Sequence, residues 1–414
     1  MHWPQLSPES IREKVFSALD QNLNYSKESI LGLPGTFLDQ GQFHYSPFLK
    51  EAAFLSVLVN NPNHIGCHTY SKGERYFSGT QKLEIDVLRI CAEEIFSAKP
   101  DSYDGYVATG GTEANIEAQW IYRNFFMQKH NAKPSEVAVV FSEDAHYSVY
   151  KGSNLLGIES IAIKVDFETR KVLLDDLEEK LTQAKTSGIK YLIVHLSLGT
   201  TIFGSVDDSA SFLSVVKNHF KHYFVHVDAA FGGFIYPFAS SSRDLSFENP
   251  EISSVTIDAH KMLQAPYGTG IFLCRKGLIE FAQTEEASYV HGSDFTLCGS
   301  RSGANAISIW MILMTYGSEG WIKTIKNLTD LTDHLCENLD DLGVKYFRNP
   351  SMNIVAINAE DVSEALIKKY HLVADNYHDP KWWKIVTMAH VTEKLINSFL
   401  RDLKIEREAK FSLK

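Results

Sequence analysis

Asp258-Ala259-His260-Lys261 closes the apolar run SVTID and precedes the glycine-containing turn APYGTG. A lysine amine at such a strand end can form a Schiff base with an aldehyde cofactor, once burial and neighbouring groups bring its pKa toward neutrality. A His-Lys pair by itself reads more readily as a surface lysine at a strand terminus. The second element changes that balance: His226-Val227-Asp228-Ala229-Ala230 ends the preceding apolar run YFVHVD. An aspartate there can keep a ring nitrogen protonated, and a protonated ring draws electrons from a carbanion. The small Ala229 and Ala230 let a ring lie close to the backbone. The competing reading is an aspartate that caps a helix.

Three further groups fall at comparable places. Thr109-Gly110-Gly111-Thr112-Glu113-Ala114-Asn115 stands directly before the apolar-periodic stretch ANIEAQWIYRNFF. Glycines admit a ligand close to the backbone, and free amides at a helix start, with the Thr112 hydroxyl, suit a phosphate dianion. In Ser142-Glu143-Asp144-Ala145-His146, after EVAVVF, the imidazole of His146 can stack on a planar ring. Leu198-Gly199-Thr200-Thr201 follows YLIVHL, and the Thr200 hydroxyl either reaches a ring substituent or makes a turn.

The elements that must position these residues are legible in the same stretch. EVAVVF, SIAIKVD, YLIVHL, YFVHVD and SVTID are rich in β-branched and aromatic residues, apolar on both faces and mostly separated by helix-length segments. That alternation predicts a mainly parallel sheet covered by helices, an α/β fold whose ligands sit at the C-terminal strand ends. GIFLC follows SVTID too closely for a helical crossover and reads as an antiparallel partner. From about Arg301 a long helix leads into an amphipathic stretch over 321–342. Short strands at VKYF, MNIVAIN and KIVTM and a helix across HVTEKLINSFLRDL then predict a smaller α+β unit. The expected division is an arm over 1–60, a large cofactor-binding domain over 61–300 and a small domain over 301–414.

With 414 residues, 44% apolar and 22% charged, the chain can bury a large core. Its formal net charge of −11 argues against nucleic acid or anionic lipid as partner and favours a small molecule. The first residues do not read as a signal peptide and no apolar run is long enough to span a bilayer, so a cytoplasmic location without membrane association is expected. The five cysteines are scattered without a CxxC pair, and the sixteen histidines show no HExxH spacing, so neither a disulfide framework nor a metal site is expected.

As a set and in this order, TGGTEAN, AHYSVYK, GTTIFGSVDD, HVDAAFGG, DAHKM and GSRSGAN resemble the group II pyridoxal-5′-phosphate (PLP) dependent amino-acid decarboxylases, from about Gly66 to the C-terminus. The resemblance implies a fold-type I, aspartate-aminotransferase-like large domain, a homodimer, and loss of CO2 from an L-amino acid to give an amine. Spacing and compact length most resemble the short histidine and serine decarboxylases, while DAHKM and KIVTMAHVT resemble archaeal tyrosine or aspartate decarboxylases, so the resemblance implies histidine as substrate, with serine, tyrosine or aspartate as alternatives. It further implies that Lys261 is the Schiff-base lysine, Asp228 the ring-nitrogen partner and His146 the stacking residue, that Gly111 and Thr112 belong to the phosphate cup, and that Ala230 packs on the ring. Asp258 would lie near the phosphate, where a carboxylate needs compensation unless it bonds backbone amides. His260 is a candidate for proton handling on the substrate side. Tyr289, in EEASYVHGSDF, resembles the loop tyrosine that returns a proton to Cα. Some relatives bind the substrate carboxylate with a late arginine, whereas KIVTMAHVT carries Lys384 and no arginine. The readings set against this one are a cysteine-desulfurase-like enzyme, a carbon–carbon lyase of the same fold, and a non-catalytic PLP-binding homologue.

Overall fold

A computed structural model of the chain describes residues 1–21, 77–283 and 294–412. Seven strands form the main sheet: β1 Tyr103–Ala108, β2 Val137–Ser142, β3 Glu159–Ile163, β4 Tyr191–Ser197, β5 His222–Ala229, β6 Ile252–Asp258 and β7 Gly270–Arg275, in the order β1-β7-β6-β5-β4-β2-β3. Every residue of β1, β2 and β6 is buried, as expected of a sheet covered on both faces. Neighbours from β6 to β3 run parallel. β7 pairs antiparallel with both β6 and β1, because the segment between β6 and β7 is too short to cross over. β1 therefore points the same way as the parallel strands and ends at the same edge.

The helices are α1 Pro8–Asp20, α2 Ser78–Arg89, α3 Gly111–His130, α4 Ser148–Leu156, α5 Leu174–Ser187, α6 Ser209–His219, the short α7 Tyr236–Ala239, α8 Gly303–Asp341, α9 Glu364–Tyr370 and α10 Glu393–Ser412. The long helix expected after Arg301 is α8, broken at Gly317 (φ 61°, ψ 176°). Only glycine fits there: the φ is left-handed, and a Cβ would lie 2.7 Å from the backbone N of Gln5. The N-terminal segment is bound beside this break, with the Leu6 amide donating to Met314 O at 2.8 Å and the Trp3 indole to Leu313 O at 2.9 Å. The remainder of the expected arm lies outside the described residues.

A second, four-stranded antiparallel sheet, in the order β10-β11-β9-β8, forms the smaller C-terminal domain from β8 Tyr346–Phe347, β9 Ile354–Asn358, β10 Val373–Ala374 and β11 Trp382–Val386. β10, two residues long, leaves no periodicity to read. Arg301 ties the start of α8 to the large domain, paired with buried Glu84 of α2 and donating to Val107 O at 3.0 Å. Among the described residues no helix is long and apolar enough to cross a membrane.

Candidate active site

The ends of β1, β2, β5 and β6 meet at one edge, and the residues that follow them surround a cavity of about 500 Å3 lined by Gly111, Thr112, His146, Ala230, His260 and Lys261 among others. Four separate strand ends thus converge as the parallel strand order requires.

Asp228 lies beneath this cavity and is nearly fully buried. Its Oδ1 accepts the Ala230 amide at 3.0 Å and its Oδ2 accepts Asn115 Nδ2 at 2.7 Å. Asn115 also donates to Ser148 Oγ at 2.9 Å, and Ser148 Oγ lies 2.9 Å from His146 Nδ1. Both amide protons of Asn115 are therefore engaged, and its oxygen faces His226 Nε2 at 2.9 Å. His226 Nδ1 is 2.7 Å from Ser254 Oγ. This pattern requires a proton on His226 Nε2, so that ring donates to Asn115. Burial first, then the neighbouring His195, holds the His226 pKa well below the usual histidine range. For Asp228, burial alone would push the carboxyl up. The His195 imidazole, the Lys261 ammonium and the Ala230 amide outweigh it and hold Asp228 well below the ordinary range. His146 is also lowered, by burial and by Lys261, against the opposing pull of Asp228.

Lys261 sits across the cavity, with Nζ 3.6 Å from Asp258 Oδ2. Asp258 Oδ1 accepts the Gly111 amide at 2.9 Å and lies 3.3 Å from His260 Nδ1. The backbone-amide reading of Asp258 is thus the observed contact, and it occupies one of the free amides at the start of α3. Burial raises the Asp258 pKa, while Lys261, His260 and the Gly111 amide oppose the rise. Gly111 allows this approach: a Cβ there would lie 2.9 Å from Asp258 Oδ2 and 3.2 Å from the Ala230 Cβ.

Two expectations fare differently. The Thr200 hydroxyl is engaged in its own turn, 2.7 Å from Ser205 Oγ and accepting the Ser205 amide at 3.1 Å, so this geometry favours the turn over a ring contact. Tyr289 lies outside the described residues. Three residues that sequence reasoning did not assign enter the site. Asn115 stands one helical turn beyond Gly111, a spacing that could have marked it. His195 lies 3.7 Å from Asp228. Lys384 reaches across from β11 to donate to Thr201 O at 3.1 Å, and its pKa is lowered by burial and by the charge of Lys261.

These residues fit PLP. They supply an amine beside the cavity, a buried carboxylate kept anionic without a hydrogen-bonded cation among the described residues, a glycine cradle that a Cβ would fill, and an imidazole facing the same space. Of the thiols, Cys336 is buried in α8 and burial raises its pKa, whereas Cys298 is exposed and lines the cavity, its pKa raised by partial burial and by Glu113.

The family model for the pyridoxal-dependent decarboxylase conserved domain matches residues 79–355. The chain is 44% identical to a tryptophan decarboxylase of Clostridium sporogenes over 97% of both chains. It is 31% identical to a probable L-tyrosine/L-aspartate decarboxylase of Methanosarcina barkeri over 79% of this chain and 84% of that one. Among solved structures, L-methionine decarboxylase of a Streptomyces species superposes with a TM-score of 0.70 at 19% identity, covering 96% of this chain and 94% of the other, a likeness of fold.

Proposed function

The chain belongs to the pyridoxal-dependent decarboxylase family, and from that premise we propose that it decarboxylates an aromatic L-amino acid, tryptophan foremost. It is a PLP-dependent amino-acid decarboxylase. The observation that carries the aromatic substrate is the 44% identity with a tryptophan decarboxylase along nearly the whole of both chains. The cavity, about 500 Å3 and flanked by Ile116, Tyr147 and Leu297, has the size and apolar wall that an indole requires. This reading replaces histidine, which the relatives described above do not support.

PLP, when bound, supplies an electron sink for the Cα–carboxylate bond. Lys261 would carry it covalently, and Asp228 would hold a proton at its ring nitrogen. The Thr112 amide and hydroxyl, at the positive end of α3, would take the phosphate, since Asp258 already holds the Gly111 amide. His146 and Ala230 would pack against the ring. Lys384, partly desolvated and close enough for the charge of Lys261 to lower its pKa, is the cation for the substrate α-carboxylate, and orienting that group determines which bond at Cα breaks. His260 and Tyr289 are the groups for returning a proton to Cα.

Purified, PLP-loaded protein assayed against all twenty amino acids should release CO2 and an amine from tryptophan with the highest kcat/KM. Preference for a non-aromatic amino acid would overturn the substrate. In the same assay Lys384→Met should raise KM about tenfold or more, the loss expected for one charge-assisted contact. An unchanged KM would remove Lys384 from carboxylate binding.

We also propose a homodimer with the partner covering the cavity mouth. Tyr267, 89% exposed, packs at a tilt beside His260, their ring centroids 5.0 Å apart, and Tyr147 is 60% exposed at the rim. Aromatic residues so exposed beside a site mark an interface. Sedimentation should give a mass near twice that of the chain, and a monomer at micromolar concentration would refute it.

A further inference from the structure

His195 is completely buried, and neither of its ring nitrogens has a hydrogen-bond partner among the described residues. Leaving a buried polar group unpaired costs on the order of 1–3 kcal/mol, so such a histidine needs a physical reason. The strand register supplies one. Along β4 and β5, His195 stands opposite His226 and Ser197 opposite Asp228. Residues two apart on a strand share a face, which makes His195 the diagonal neighbour of Asp228. Its Nε2 lies 3.7 Å from Asp228 Oδ2, a few tenths of an ångström beyond a direct hydrogen bond.

The other groups around Asp228 are already committed. The Ala230 amide and Asn115 Nδ2 take one oxygen each, and His226 is engaged by Asn115 and Ser254. Those two donors favour the carboxylate but work against burial, which favours the protonated form, and the further groups that oppose burial are His195 and, across the cavity, Lys261. We propose that His195 is the positioning residue that keeps Asp228 anionic and correctly aimed, acting on the cofactor's ring nitrogen only through that carboxylate. The lowered pKa of Asp228 agrees with this. The inference rests on the reading of Asp228 as the ring-nitrogen partner.

The test is a pair of near-isosteric variants, one with and one without an N–H donor. His195→Gln keeps a donor toward Asp228 and His195→Met removes it. Apoprotein is titrated with PLP and binding is followed by the visible absorbance. His195→Met should weaken PLP binding about tenfold and His195→Gln by less than about threefold, the difference expected for a polar N–H lost beside a buried charged group. In turnover, His195→Met should lower kcat and leave KM for the amino acid unchanged. In an Asp228→Asn background the same His195→Met change should alter PLP affinity by less than about twofold, since a residue acting through Asp228 has nothing left to act on. Equal losses in both backgrounds, or equal losses for Gln and Met, would mean a merely structural histidine and overturn the proposal. If Asp228→Asn alone leaves PLP affinity and the absorbance unchanged, the ring-nitrogen reading itself fails and the role of His195 falls with it. Should His195→Met not fold, His195→Leu takes its place.

Discussion

Lys261→Ala is expected to abolish the borohydride-reducible visible chromophore and to lower kcat by about 10^4-fold to 10^6-fold, the scale seen when a covalent nucleophile is removed. Lys261 follows β6 at the cavity wall, its Nζ 3.6 Å from Asp258 Oδ2. An alanine keeps the backbone and the Asp258–Gly111 bond but leaves no amine there. Lys384, which donates to Thr201 O, is not among the residues that line this cavity, so it does not stand in for the missing amine. Borohydride treatment of wild-type protein loaded with PLP, followed by peptide mass analysis, should place the reduced adduct on the peptide containing Lys261. A reduced adduct of equal yield in Lys261→Ala would remove that residue from its assigned role. The phosphate site should survive the change, so the variant should still bind PLP, though more weakly and reversibly.

Asp228→Asn should lower kcat by about 10^3-fold while KM for the amino acid moves by less than about threefold, because a charge that stabilises developing carbanion character acts in the transition state rather than in substrate binding. The substitution also has a structural cost that can be separated from the chemical one. Asp228 accepts with both oxygens, from Ala230 N and from Asn115 Nδ2. Asparagine offers one oxygen and one NH2 group, so one of those donors would face another donor. A stability loss of about 1–3 kcal/mol in the apoprotein is expected on that account, measurable by denaturant unfolding. Turnover within tenfold of wild type would refute the electron-sink role of this carboxylate.

The chemistry-bearing residues were readable because their types and their local settings travel together in the chain. Each of the motifs around Lys261, Asp228, Gly111 and His146 directly follows an apolar run, and a run apolar on both faces belongs in a covered parallel sheet. The antiparallel β7 was equally legible, since the distance from Asp258 to Gly270 leaves no room for a crossover. Family membership was also within reach of the sequence, although the histidine preference drawn from length and spacing was not sustained. The apolar part of the cavity wall is assembled from Ile116, Tyr147 and Leu297, which are drawn from separate parts of the chain, and no local motif encodes such a shape.

What the sequence by itself determined is therefore the fold class, the strand ends that carry the site, and the cofactor they suit. Hydrophobic period, helix-start chemistry and the side chains able to react with an aldehyde are all encoded within a few consecutive residues. Tertiary structure alone decided how those residues are held. Asn115 meets Asp228 from 113 positions away, Lys384 reaches Thr201 from another domain, and His195 becomes a neighbour of Asp228 only through the β4–β5 register. A one-residue slip between those strands would turn His195 to the opposite face of the sheet, and no local pattern in either strand specifies that such a slip has not occurred.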